Sequence, residues 1–99
     1  MYGGTLTPFG GNDMYDDENG RREEARHTVN RWLRTSRRFD AVIDFDRAAR
    51  DPADPRRLHP AYDTGDRLHL NPAGYKALAD AVPASLFRNG ARPPAFGFN

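Results

Sequence analysis

The chain has 99 residues, 37% hydrophobic and 29% charged, which leaves room for one small domain with a modest apolar core. Its formal charge is +1, with 15 basic against 14 acidic residues, so it lacks a positive field on the scale nucleic-acid binding demands. The absence of cysteine excludes disulfides and thiolate zinc sites, and no apolar run is long enough to span a bilayer.

Residues 2–7 read as a short strand that Pro8 ends, because proline cannot donate to a ladder. Gly10-Gly11 then permits a sharp bend. Residues 12–19 form a polar loop whose carboxylates, Asp13, Asp16, Asp17 and Glu18, lack calcium-loop spacing and read as solvated. Residues 20–36 predict an amphipathic helix. Ala25, Val29, Trp32 and Leu33 fall at i, i+4, i+7 and i+8 and make one apolar stripe, with Trp32 as its core anchor. Arg21, Arg22, Glu23, Glu24, Arg26, Arg31 and Arg34 take the other faces, and His27 reads as exposed and without chemistry.

Residues 39–45, Phe-Asp-Ala-Val-Ile-Asp-Phe, are the clearest strand, and their short apolar run suits a place buried on both faces of a parallel sheet. A helix joined to a strand through the short stretch Thr35-Ser36-Arg37-Arg38 predicts half of a βαβ crossover. Asp44 and Asp46 stand at the C-terminal end of this strand, the edge where open α/β sheets bind ligands. Asp44 is either support for a site there or a cap for a short helical turn over 46–50.

Residues 51–65 form a long loop held extended by Asp51-Pro52, Asp54-Pro55 and His59-Pro60. Next comes Gly65-Asp66-Arg67-Leu68-His69, a carboxylate three residues before an imidazole. Asn71 is a good N-cap and Pro72 falls at the first helical position, so a helix is predicted over 72–81. Its buried side is Ala77, Leu78, Ala81 and Val82, and Pro83 ends it. The turn before it is short enough for the Asp66 carboxylate to reach Nδ1 of His69, leaving Nε2 free as a base. The plainer alternative is an Asp that only holds its loop shut. His59, Asp63, Asp66 and His69 lack the spacing of a metal site, so no metal is expected. Residues 88–99, rich in Gly, Pro and Asn, read as a frayed tail after a unit spanning 1–87.

The run from Gly65 to Ala81 resembles the C-terminal block of the SGNH, or GDSL-type, hydrolases, where a D-x-x-H motif before the last helix supplies the Asp and His of a Ser-His-Asp triad. Gly4-Thr5-Leu6-Thr7-Pro8-Phe9-Gly10-Gly11 is similar to the text that ends a central parallel strand beside that family's active site. Asp51-Pro52 and Tyr62-Asp63-Thr64-Gly65 also resemble the family. The resemblance implies an α/β fold with parallel strands: the C-terminal portion of a three-layer, flavodoxin-like α/β/α sandwich. It implies Asp66 as orienting acid and His69 as general base in the hydrolysis of carboxylic esters, with no cofactor. The family also carries an acidic residue after the strand at 39–45, which makes Asp44 a candidate support for the pair. Asn12 is similar to the oxyanion asparagine of the family's Gly-x-Asn-Asp block, but that block belongs tens of residues before the Thr-Pro-Phe strand. Asn12 therefore reads as a loop residue.

The family's Gly-Asp-Ser nucleophile block has no counterpart in these residues. The serines are Ser36 and Ser85, neither in a strand-to-helix elbow. The expectation is a fragment that starts inside a larger domain and is inactive on esters alone, its partner being the domain's N-terminal half. The alternatives are a non-catalytic interaction module, pairing through an open sheet edge or the Trp32 helix, and an Arg-rich nucleic-acid binder.

Overall fold

The computed structural model describes residues 1–87, and the tail expected over 88–99 lies outside the described residues. Strands β1 (Tyr2–Gly4) and β2 (Ala41–Ile43) pair in parallel, with Gly3 opposite Val42. Helix α1 (Arg21–Thr35) lies between them in the chain, so the pair with its crossover makes the fold α/β. Both strands are shorter than the sequence predicts. Thr5 N–H still donates to the Ile43 carbonyl at 3.1 Å, but at Leu6 a helix side chain takes over from the ladder. Asn30 of α1 accepts from Leu6 N–H at 2.8 Å and donates to the Leu6 carbonyl at 3.0 Å. At the end of β2, Asp44 turns the chain by capping helix α2 (Phe45–Ala49).

The expected apolar stripe on α1 does not face the interior. Trp32 is 49% exposed, Val29 is 41% exposed, and Ala25 lies on the surface. The buried positions are Arg26 and Asn30, one residue on from Ala25 and Val29. One residue is about 100° around a helix, enough to swap faces. The rotation follows from what the helix must satisfy: the Leu6 peptide and the buried Asp46 need hydrogen-bond partners that apolar side chains lack. Trp32 is therefore no core anchor; it covers Phe39 edge-on from outside, with ring centroids 5.7 Å apart.

The apolar core begins at the last residue of α2. Ala49, Leu58 and Leu70 are buried together, with Tyr62 and Leu78 packed against them. Two antiparallel bridges, Arg50 to Leu58 and Asp63 to Leu70, pin the long loop over this core. A 3-10 turn (Pro60–Tyr62) interrupts the loop, and helix α3 (Pro72–Ala81) follows it, with the bounds the sequence predicts. Asn71 caps α3 by accepting from Gly74 N–H at 2.9 Å. Gly74 is the one buried residue of α3, since a Cβ there would fall 2.9 Å from the Leu70 side chain. The expected buried side of α3, Ala77, Leu78, Ala81 and Val82, is half-buried. Ala84–Phe87 form a final 3-10 turn.

Asp44 ties the polar half of the fold to pH. Arg34 grips Asp44 with two hydrogen bonds, at 3.0 and 2.8 Å. Burial alone would raise the Asp44 carboxyl, but bonds donated by Arg34, by Arg47 N–H and by Thr5 outweigh it and bring it from 3.8 down to about 2. A carboxyl lowered by folding stabilises the fold fully above its unfolded value and loses that contribution as pH falls through its folded value. The melting temperature should therefore drop between about pH 4 and pH 2. Asp44→Asn should lower it at neutral pH and make the acid slope shallower, as followed by circular dichroism; equal slopes in the two proteins would count against the assignment.

Candidate active site

The turn leading into α3 is built from two aspartates that satisfy the loop backbone. Asp63 Oδ1 accepts from Gly65 N–H at 2.8 Å and from Arg67 N–H at 2.9 Å. Asp66 Oδ1 accepts from Leu68 N–H at 2.9 Å, His69 N–H at 2.8 Å and the Thr64 hydroxyl at 3.0 Å. Such side-chain-to-backbone turns stand in for regular structure where none is possible. Thr64 N–H donates to the His69 carbonyl at 3.1 Å and closes the loop. Arg67 adopts a left-handed backbone at φ 62°, which a bulky residue holds only where its surroundings insist.

With Oδ1 committed to the loop, Oδ2 of Asp66 meets Nδ1 of His69 at 2.6 Å. Asp66 is held well below the usual carboxylate range, first by the His69 ring and then by the backbone N–H groups of His69 and Leu68. An ionised carboxylate only accepts, so Nδ1 carries the proton and the Nε2 lone pair of the neutral ring stays free. The His69 side chain is 67% exposed, and Nε2 has no hydrogen-bond partner among the described residues. Leu70, the next residue, is buried in the core and anchors this end of the turn.

A second loop holds the turn from the other side. Asn12 is buried; its amide donates to the Asp66 carbonyl at 2.7 Å, and its own oxygen accepts from Met14 and Tyr15 N–H, both at 2.9 Å. Beside it, Gly11 has φ 87°, and a Cβ there would fall 2.8 Å from the Arg67 side chain. Sequence reasoning placed Asn12 in a solvated loop and missed this contact; the only local signal is the Gly-Gly-Asn text.

Asp44 is not joined to this turn. Its bonds go to Arg34, Thr5 and Arg47 N–H, the last of which caps α2, and none reaches Asp66 or His69. Ser36 caps the end of α1 and Ser85 lies in the last 3-10 turn; neither hydrogen-bonds to His69. His59 Nδ1 accepts from Ala61 N–H at 3.0 Å, and no group of three or more metal-ligating side chains forms among the described residues. No described helix is long and apolar enough to cross a membrane.

A family model described as GDSL-like Lipase/Acylhydrolase matches residues 4–82. No curated protein matches the chain.

Proposed function

The chain belongs to the GDSL-like lipase/acylhydrolase family of hydrolases, and on that premise we propose that it supplies the Asp and His of a Ser-His-Asp triad for hydrolysis of carboxylic esters. The observation that carries the reading is the 2.6 Å contact between Asp66 and His69, on an imidazole side chain that is largely exposed. In this reading His69 Nε2 takes the proton of a serine hydroxyl as its oxygen attacks the ester carbonyl. The imidazolium then gives that proton to the leaving alcohol. Water, deprotonated by the same nitrogen, attacks the acyl-enzyme, releases the acid and restores the serine. Asp66 stays ionised and steadies the imidazolium throughout.

The nucleophile comes from a partner segment, the N-terminal half of a three-layer α/β/α domain, which also brings the oxyanion donors. The small sheet supports this, because two three-residue strands leave edges that a larger sheet would continue. So does the surface beside it: Leu6, Phe9, Tyr15, Ala25 and Val29 line an open, apolar groove of about 450 Å³. That groove also favours a second reading, a non-catalytic module that binds a partner there.

Release of p-nitrophenol from p-nitrophenyl acetate separates the two. The chain alone should show no turnover that a serine-directed phosphonate blocks. Adding a family N-terminal half with its Gly-Asp-Ser block should create such turnover. Complex formation with that half but no activity would favour the module. Turnover by the chain alone, lost both with phosphonate and with His69→Ala, would overturn the split assignment.

A further inference from the structure

Resting on the reading of Asp66 and His69 as a catalytic pair, we propose that Asn12 is a positioning residue for it, acting through the backbone of the turn. The geometry separates two jobs within one side chain. The carboxamide oxygen organises its own loop, through Met14 and Tyr15 N–H at 2.9 Å. The carboxamide nitrogen reaches 54 positions along the chain to the Asp66 carbonyl at 2.7 Å. Asp66 is thus fixed at both ends: its side chain by the N–H groups of Leu68 and His69, its carbonyl by Asn12. Otherwise the turn is largely exposed, with no apolar packing of its own between Gly65 and Arg67. Arg67 adds only a long contact to the Gly11 carbonyl, at 3.4 Å. Among the described residues Asn12 is therefore the one buried side chain that ties the turn to the N-terminal loop, and it sets where the carboxylate points.

Two substitutions in the full chain isolate the nitrogen's role. Asn12→Asp keeps an acceptor for Met14 and Tyr15 but replaces the donor with an oxygen facing the Asp66 carbonyl. Asn12→Ser also keeps an acceptor and is too short to reach position 66. In the native chain, nitrogen NMR of the neutral ring should show His69 mainly as the Nδ1–H tautomer. Both variants should shift it toward the Nε2–H form. They should also speed amide exchange at His69 about tenfold, the loss expected when one hydrogen bond goes, while the chain still melts cooperatively, at a somewhat lower temperature, and the Met14 and Tyr15 amide signals stay native. An unchanged tautomer in both variants overturns the proposal. So does a tautomer shift that appears only with global unfolding, since Asn12 would then act on stability alone. A native chain without the Nδ1–H tautomer overturns the pair itself, a failure distinct from that of Asn12.

Discussion

Arg26→Ala should bring the chain close to its unfolding midpoint at neutral pH. The Arg26 side chain is 2% exposed, and all five of its N–H donors are used. Nε and Nη2 form a fork on Glu23 at 2.9 and 2.7 Å. Nη1 donates to Asp46 at 2.6 Å and to the Leu6 carbonyl at 3.1 Å, and Nη2 also reaches the Pro55 carbonyl at 3.3 Å. Burial opposes the charge, but the bonds to Glu23 and Asp46 outweigh it and raise the guanidinium above its ordinary value. One side chain thus joins α1, the exit from β1, α2 and the long loop. Its removal leaves Asp46, 2% exposed, with only the half-exposed Arg34 and Arg50 as partners for its carboxylate. Breaking a buried pair from one side costs about 3–5 kcal/mol, against a total of about 5–15 kcal/mol for an ordinary domain. Here the large apolar side chains buried among the described residues are few, Ile43, Leu58 and Leu70 beside the smaller Pro8 and Ala49, so the total belongs near the lower end. Arg26→Lys keeps the charge but not the fork, and should fall between the two. Urea melts followed by circular dichroism measure the difference. A midpoint in Arg26→Ala equal to that of the native chain would show that the network contributes specificity and not stability.

The same residue explains where sequence reading stops. Helix α3, its Asn71 cap and the Asp66–His69 contact were legible because each is local: cap, proline, acid and base lie within about one turn of one another. The buried face of α1 was not. Hydrophobic periodicity assumes an apolar interior, whereas this helix packs where the Leu6 peptide and the Asp46 carboxylate have to be satisfied, so Arg26 and Asn30 turn inward and Trp32 outward. β1 is shorter than its residues predict for the same reason, since nothing at Leu6 announces that a side chain 24 positions away will replace its ladder partner. Asn12 shows the limit at the site: its partner lies 54 residues on, and no spacing rule links them. Long-range polar contacts carry much of this small fold, and they leave the weakest trace in a single sequence.

Within an active complex, His69→Ala should lower kcat/KM for an ester about 10⁴-fold or more, because removing the base leaves only oxyanion stabilisation and binding. Asp66→Asn is the sharper test of mechanism. Asparagine keeps an oxygen where Oδ1 stands, so Leu68 and His69 N–H retain their acceptor and the turn survives. The only exchange is at Oδ2, where an amide nitrogen replaces the oxygen that faces Nδ1 at 2.6 Å. A donor there forces Nδ1 to accept, which moves the ring proton to Nε2 and removes the lone pair that deprotonates serine. The fall in kcat should reach about 10³- to 10⁴-fold, with KM little changed, since orientation and not binding is lost. The tautomer is also readable in the chain alone, where nitrogen NMR should find the neutral ring of the Asp66→Asn protein protonated at Nε2 and the fold intact. If the variant kept the native tautomer and nearly full activity once complemented, Asp66 would be a loop clasp, and the base at His69 would take its orientation from elsewhere.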